Sequence, residues 1–155
     1  MRKSRRGIVY DWDPLEAPYG LIQDKYYPDR WQVAVTCILL NCTRGRQVRT
    51  VIDKLFDICP SPEAFLSTDE EKVKSIITRL GFKNIRYKRI RSFSEDFTNK
   101  NWKLLGECRG IGEYADACDR MYFLSEFDAD PPEDHALVQL WDYVVGGKYK
   151  KVPPR

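Results

Sequence analysis

The chain has 155 residues, of which 43% are hydrophobic and 13% aromatic. Such a composition can fill a core, which excludes wholesale disorder, and the length fits one compact domain or two small lobes that share a core. The formal net charge of +3 is modest and by itself does not indicate a nucleic-acid partner. No apolar run approaches the roughly 18 residues of a membrane helix, and the basic N-terminus lacks the apolar stretch of a signal peptide. We therefore expect a soluble, intracellular protein that does not bind membranes.

The distribution of the positive charge is more informative than its sum. One basic cluster lies at the N-terminus and a second in mid-chain; they comprise Arg2, Lys3, Arg5 and Arg6, and Lys83, Arg86, Lys88, Arg89 and Arg91. Either cluster can be an ordinary solvated helix face. Together with the phosphate-binding turn described below, they also suit a surface that neutralises a DNA backbone.

The cysteines indicate free thiols rather than disulfides or a metal site. There are five of them, at positions 37, 42, 59, 108 and 118, with no CxxC pair and a single histidine in the chain. An odd number without an export signal favours unpaired thiols, and this set lacks the spacing of a structural zinc site. No cysteine follows position 118, so an iron–sulfur cluster has too few ligands there. We predict that the chemistry needs no metal cofactor.

Helical periodicity runs nearly throughout the chain. Residues Trp31 to Leu40 are almost continuously apolar and predict a buried helix. From Val48 to Phe56 the apolar residues recur at helical spacing, which predicts a single amphipathic helix. Ser61 is expected to cap the next helix, with a proline at its first position.

Two more helices are predicted between residues 68 and 97. A capping box at Thr68–Glu71 opens a helix that runs to about Leu80 and ends at Gly81. Ile85 to Phe97 forms a further amphipathic helix. Alternating strand patterns are missing, so the predicted fold class is all-α.

Residues 104–118 predict a helix-hairpin-helix. One helix ends near Leu105, the chain turns through Gly110-Ile111-Gly112, and a second helix begins at once. The glycines allow a tight turn while Ile111 inserts into the core. Backbone N–H groups at the start of the second helix favour a phosphate there. The GxG pattern alone is equally consistent with an ordinary turn between helices.

A carboxylate follows this hairpin at the start of the last helix. Pro131 and Pro132 impose an extended approach, and apolar periodicity from Leu137 marks the helix, so Asp134 lies at or beside the N-cap. Aspartate is a favoured cap, and capping alone would account for its presence.

The chain resembles the helix-hairpin-helix (HhH-GPD) base-excision DNA glycosylase superfamily. Within it, the closest resemblance is to the glycosylase domain of the methyl-CpG-binding-domain T:G/U:G mismatch glycosylases and their domain-free relatives. The matching stretches span about residues 15 to 145 in order; they are Leu21-Ile22-Gln23-Asp24, Leu39-Leu40-Asn41-Cys42-Thr43, Leu80-Gly81-Phe82, Gly110-Ile111-Gly112-Glu113-Tyr114 and Pro132-Glu133-Asp134-His135.

The resemblance implies a single module over residues 1–155 with a cleft between two helical lobes. The middle lobe would cover about 33–125 and contain the hairpin, and the second lobe would combine about 10–32 with 126–150. The implied activity is a monomeric DNA glycosylase that flips a thymine- or uracil-type base out of double-stranded DNA and hydrolyses its N-glycosidic bond, leaving an abasic site.

The resemblance also implies roles for individual residues. Asp134 would be the catalytic carboxylate, which stabilises positive charge on the sugar and orients the attacking water. Tyr114 stands where strand-cleaving members carry a nucleophilic lysine, so no lyase activity is expected. The phenol would line the base pocket, with packing of the hairpin against the core as the alternative. Gln23 would read the edge of the flipped base, although surface glutamines are common.

The remaining implied residues contact DNA. Phe82 would be a wedge between bases, with an ordinary core position as the alternative. The backbone would be bound by the hairpin and its neighbours, namely Gly110, Ile111, Gly112, Arg109 and His135. For His135 a structural role is the alternative. A monovalent cation at the hairpin is left open as the one cofactor, and no iron–sulfur cluster is expected.

Two positions depart from the family pattern. Cys42 occupies the place of the arginine that fills the gap left by the flipped base, and a thiol cannot contact the orphan guanine as a guanidinium does. Arg44, two residues further on, is a candidate substitute. Ala136 replaces a basic residue of the relatives. Preference for a base opposite guanine is therefore in doubt.

Two other functions stay open at this point. Some viral relatives act in thymine hypermodification, where an amine displaces pyrophosphate from an activated pyrimidine, and Asp134 could be the general base of such a reaction. A non-catalytic helix-hairpin-helix DNA-binding module is the second alternative.

Overall fold

The computed structural model describes residues 7–99, 101–128 and 130–153. The basic N-terminal cluster, Arg2 to Arg6, lies outside these residues. Within them the chain is mostly helical, as predicted, and has eight α-helices. They are α1 (Arg30–Leu40), α2 (Gly45–Arg49), α3 (Ile52–Ile58), α4 (Pro62–Ser67), α5 (Glu70–Ile77), α6 (Lys83–Asn99), α7 (Glu113–Leu124) and α8 (His135–Tyr143).

Two of the predicted helices have different bounds in the structure. The single helix predicted from Val48 to Phe56 is two helices, because the backbone leaves the helical region at Val51, where φ is −120°. The capping box at Thr68 is wrong: Asp69 is the N-cap, and its carboxylate accepts the Lys72 N–H at 3.3 Å. Short 3-10 turns, absent from the sequence prediction, flank the helices at Pro14–Glu16, Ile22–Lys25, Thr78–Leu80 and Leu105–Glu107, and a π turn follows α8 at Val144–Lys148.

A small antiparallel sheet joins the two ends of the described chain. Its strands are β1 (Ile8–Asp11), β2 (Glu126–Phe127) and β3 (Lys150–Val152), in the order β2-β1-β3. In the register of the pairs, Val9 lies opposite both Glu126 and Val152. The sequence predicted none of these strands, and they leave the mostly helical fold class unchanged. The segments have two to four residues, too few for an alternating pattern to be visible in the sequence.

The buried side chains form two clusters that meet along α1. Helices α1 to α6 supply most of the first cluster, and β1, α7 and α8 supply most of the second. Trp31 and Val35 on α1 belong to the first cluster, whereas Val33 and Cys37 belong to the second. Helix α1 therefore packs on two faces, which explains its nearly continuous apolar sequence. No helix in the described ranges is long and apolar enough to span a bilayer.

Candidate active site

Asp134 is the N-cap of α8 and is exposed. One carboxylate oxygen, Oδ2, accepts the Leu137 N–H at 3.0 Å, which fixes the orientation of the side chain. The other oxygen, Oδ1, has no hydrogen-bond partner among the described residues. Asp134 is therefore a cap, and one of its oxygens is still available to bind a reactant.

Asp134 lines a large cleft of about 1060 Å³. The cleft brings together the loop before α8, including Pro132 and Glu133, and the whole Gly110-Ile111-Gly112 turn. The hairpin and the carboxylate therefore lie on one surface although more than twenty residues separate them in the chain. Arg89 of the mid-chain basic cluster also reaches this cleft.

The hairpin turn requires glycine at Gly110. Its φ is +84°, and an added Cβ would lie 2.5 Å from the Arg89 carbonyl oxygen on α6. The tight approach of turn to helix is therefore possible only without a side chain. Ile111 is half-buried and packs against both core clusters, as expected. The first helix of the hairpin differs from the prediction, because α6 ends at Asn99 and only the 3-10 turn Leu105–Glu107 precedes the glycines.

The second helix of the hairpin, α7, begins without a side-chain cap. Gly112 is its N-cap residue and supplies no side-chain acceptor. Gly112, Glu113 and Tyr114 all line the cleft, so the first N–H groups of α7 lie at the surface that contains Asp134. A free N-terminus of this kind suits a phosphate oxygen.

A second pocket of about 510 Å³ opens beside Asp134. It is lined by Gln23, Tyr114, Cys42 and Ala136 as well as by Asp134. Five of the residues singled out in the sequence therefore surround one cavity. The catalytic carboxylate and the base-reading glutamine implied by the family resemblance lie in the same pocket.

Gln23 and Tyr114 are paired inside this pocket. Gln23 is only 1% exposed, so it is not an ordinary surface glutamine. Its Nε2 donates to the Tyr114 Oη at 2.9 Å and, more weakly, to the Cys118 Sγ at 3.6 Å. Burial raises the pKa of the Tyr114 phenol well above its ordinary value, and the nearby Cys37 thiol raises it further. The phenol therefore stays protonated and is able to donate its own hydrogen.

Asp24 fixes the turn that carries Gln23. Its Oδ2 accepts the Leu21 N–H at 2.9 Å, and its Oδ1 accepts the hydroxyl of Tyr122 on α7. Burial raises the pKa of Asp24, while the bond from Tyr122 opposes that rise. The network ties the 3-10 turn Ile22–Lys25 to α7, which supplies Tyr114 from its first turn.

The two exposed turn tips at the predicted DNA-facing positions have left-handed backbones. Phe82 is 72% exposed with φ of 51°, so the alternative of an ordinary core position is wrong. Cys42 is exposed with φ of 59°. An apolar ring held in solvent in a strained conformation is typical of a residue that inserts into a partner.

Three arginines have surroundings that the sequence did not indicate. The Arg109 backbone N–H donates to the Asp96 Oδ2 at 2.8 Å, and its Nη2 donates to the Asp96 Oδ1 at 3.0 Å. Arg109 therefore fastens the hairpin to α6. Arg86 is 5% exposed and is not part of a solvated basic surface. Arg44 is exposed at the N-cap of α2 and does not line the pocket.

His135 is the first residue of α8 and is exposed beside Asp134. Its position is compatible with a backbone contact, and that role stays a prediction.

Several residues that line the pockets were missed by the sequence analysis. Arg46 and Arg49 line the pocket around Gln23, and their spacing of three residues on one short helix was the available signal. Cys37 lies in the cleft lining, and its pKa is raised well above the ordinary value by burial and by a hydrogen bond with Cys118. Nothing in the cysteine spacing indicated that pair.

Comparisons with known proteins identify a matching family, similar sequences and a similar fold. The model of the family described as "HhH-GPD superfamily base excision DNA repair protein" matches residues 35–152. The chain is 33% identical over 133 residues to a Methyl-CpG-binding domain protein 4-like protein of Arabidopsis thaliana, a match that covers 86% of this chain and 30% of that protein. It is 25% identical over 148 residues to a thymine-DNA glycosylase of Aeropyrum pernix, covering 88% of this chain and 66% of that protein.

A solved structure has a similar fold. It is described as a thermostable thymine-DNA glycosylase, and it superposes with a TM-score of 0.58 at 19% identity, covering 66% of this chain and 50% of that one. At this identity the likeness concerns the fold alone. The chain spans less than a third of the Arabidopsis thaliana protein.

Proposed function

The chain belongs to the HhH-GPD superfamily of base excision DNA repair proteins, and from this premise we propose that it is a DNA glycosylase acting on thymine- or uracil-type bases. The observation that carries the proposal is the pocket in which an exposed, oriented carboxylate, Asp134, meets the buried pair Gln23 and Tyr114. The substrate would be double-stranded DNA, the protein would act as a monomer inside the cell, and no metal or cluster would take part.

The chemistry follows from the position of Asp134. The C1′–N1 bond of the flipped nucleotide breaks and its electron pair leaves with the base, so positive charge develops on the sugar. The free Oδ1 of Asp134 stabilises that charge and accepts a proton from the water whose oxygen bonds to C1′. The bond from Leu137 N–H holds the carboxylate in one orientation throughout.

Selection of the base would fall to Gln23. Its Nε2 is already bound to Tyr114 and Cys118, which leaves the amide Oε1 as the acceptor for a base N–H. Thymine and uracil have an N3–H to donate, whereas cytosine has a lone pair at that position. The protonated Tyr114 hydroxyl supplies a donor for a base carbonyl.

The DNA backbone would be bound at two sides of the cleft. The uncapped start of α7 would receive a phosphate, and Arg46 and Arg49 would neutralise the strand at the opposite pocket. Phe82 would occupy the gap in the base stack.

A phenol cannot form an imine, so we propose a monofunctional enzyme without lyase activity. Borohydride treatment during turnover traps an imine as a covalent protein–DNA complex. We expect no trapped complex, and a trapped one would contradict this part of the proposal.

The decisive experiment is base release from duplexes that contain uracil, thymine opposite guanine, or 5-hydroxymethyluracil, followed by alkali to cleave abasic sites. Asp134→Asn should lower release by about 10²–10⁴-fold. It should leave folding and DNA binding intact, because asparagine is also a good N-cap. Glu133→Gln, the neighbouring exposed carboxylate in the same cleft, is the matched control and should release base at the wild-type rate.

The other outcomes identify the alternatives. DNA binding without base release from any duplex would indicate a binding module. Substitution of an activated modified pyrimidine by an amine, with no abasic site, would indicate a base-modifying enzyme. Unchanged release by Asp134→Asn would remove the catalytic assignment.

A further inference from the structure

Arg86 is a buried arginine whose side chain reaches two separate turns. On one side its Nε donates to the Gly81 carbonyl at 2.9 Å. On the other side its Nη1 donates to the Leu39 carbonyl at 2.8 Å, and its Nη2 donates to the Thr43 hydroxyl. The guanidinium therefore bridges the turn before α6 and the turn after α1.

Both bridged turns end in an exposed residue with a left-handed backbone. Phe82 directly follows Gly81, and Cys42 directly precedes Thr43. A residue other than glycine adopts this conformation at a cost, so surrounding contacts must hold each tip in place. The Cys42 turn lines the pocket that contains Asp134, and the Arg86 bridge connects Phe82 to that pocket rim.

Arg86 is only 5% exposed, and the carbonyls and hydroxyl that accept its hydrogen bonds are neutral. Burial lowers the pKa of the guanidinium, as expected for a charge moved out of water. Burying such a cation among carbonyl groups is unfavourable compared with an apolar side chain of the same size. The planar fork of N–H donors does, however, fix the distance between two turns in a way that an apolar side chain cannot.

We propose that Arg86 is a positioning residue that holds the Cys42 and Phe82 tips at one spacing, so that Phe82 enters the DNA stack while the Cys42 turn stays at the rim of the pocket that holds the target base. The inference rests on the proposed function, because it concerns the step in which the base leaves the duplex. Arg86 touches neither the sugar nor the base in this scheme. It affects base flipping only by holding the two turns in position.

The test separates base flipping from cleavage. The variants are Arg86→Met, which removes the whole set of hydrogen bonds at similar size, and Arg86→Lys, which keeps the charge and part of the donors. Ile90→Ala, one turn further along α6 and fully buried, is the control: it destabilises the same helix without removing a hydrogen bond to either turn. Each protein is mixed with a duplex that has 2-aminopurine beside the target base, and fluorescence and base release are followed in single turnovers. A second substrate holds the same target base unpaired in a bubble.

Arg86→Met should slow both the fluorescence rise and base release from the duplex by about 10- to 100-fold, as expected for misplaced inserting groups. The two rates of Arg86→Lys on the duplex should lie between those of Arg86→Met and the wild type. For both variants, the rate of base release from the bubble should stay within about twofold of wild type. Ile90→Ala should keep the wild-type ratio of base-release rates on the duplex and the bubble.

Equal losses on duplex and bubble by Arg86→Met, or a wild-type fluorescence rise before slow cleavage, would overturn the inference and leave Arg86 a structural residue. Absence of base release from every substrate by the wild-type protein would overturn the proposed function instead, and this inference with it.

Discussion

Gln23 and Tyr114 are 91 residues apart in the chain, and a hydrogen bond of 2.9 Å joins their side chains. Gln23 comes from the 3-10 turn before α1, and Tyr114 comes from the first turn of α7. The bond places an amide and a phenol side by side in the pocket of Asp134. Neither side chain can move without disturbing the other.

Tyr114→Phe should therefore affect both stability and activity. The change leaves the buried Gln23 Nε2 with only the weak Cys118 acceptor, which should lower the free energy of unfolding by about 1–3 kcal/mol. The freed amide should also lower base release, by up to about 100-fold if the base is misplaced by an ångström.

Urea unfolding and single-turnover kinetics measure the two effects of Tyr114→Phe. Tyr87→Phe is a matched control, because that hydroxyl is buried in the other cluster and accepts a bond from Arg91 at 3.2 Å. It should lose stability and keep base release. Equal release by Tyr114→Phe and the wild type would mean that Gln23 does not depend on this bond.

Phe82→Ala should separate DNA insertion from folding. Because the ring is 72% exposed, its loss should change the free energy of unfolding by no more than about 0.5 kcal/mol. Loss of stacking in the flipped complex should cost about 1–3 kcal/mol, or roughly 10- to 100-fold in base release from duplex DNA.

Leu15→Ala removes a comparably exposed apolar side chain from the 3-10 turn Pro14–Glu16 and is the control for Phe82→Ala. Base release should be unaffected by it. If Phe82→Ala instead destabilised the protein and released base normally, the ring would be a packing residue.

Long helices were predictable because their apolar positions repeat over several turns. The segments Trp31–Leu40 and Ile85–Phe97 both lie inside observed helices, α1 and α6. The strands were not predictable, because a pair such as Val9 and Val152 joins residues that are far apart in the chain. Thr68 and Asp69 are both acceptable caps, and the choice between them depends on backbone geometry.

The candidate site was predictable only to the extent that the resemblance to a family grouped its residues. Spacing alone could not bring Gln23 to Tyr114. Sequence alone also does not distinguish a buried arginine from an exposed one, so it groups Arg86 with the exposed members of the mid-chain basic cluster. Its actual surroundings, carbonyls of Leu39 and Gly81, exist only after the chain has folded.

Arg46 and Arg109 should differ in how they affect the salt dependence of DNA binding. Arg46 lines the pocket beside Gln23, and Arg46→Ala should reduce the log–log salt slope by about 1, as for one lost phosphate contact. The Arg109 guanidinium already binds Asp96 and Glu95, so Arg109→Ala should leave the slope unchanged. Fluorescence anisotropy titrations over a range of salt concentrations measure both slopes, and a reduced slope for Arg109→Ala alone would reverse the assignment.

Asp24→Asn should alter the pH dependence of stability. Burial raises the pKa of Asp24 above its ordinary value of 3.8, so the folded state binds this proton more tightly than the unfolded state does. The wild type therefore loses stability from this group as pH rises from about 3.8 through the raised pKa. An asparagine does not titrate, so the stability of the variant relative to the wild type should increase over that interval.

Urea unfolding between pH 3 and pH 7 measures this difference for Asp24→Asn. Asp29→Asn offers the control, because Asp29 is an exposed helix cap that accepts the Gln32 N–H at 2.9 Å. A difference between Asp24→Asn and wild type that is constant with pH would show that Asp24 does not carry the effect.

Because Cys42 is exposed, a label can be attached to the protein at this thiol without mutagenesis. Four of the five thiols are buried, and Cys42 alone is exposed. A maleimide or a disulfide-forming reagent will therefore modify that sulfur first. A dye or a tethered oligonucleotide introduced in this way would sit on the edge of the Asp134 pocket, where it would report directly on the arrival of a nucleic acid strand.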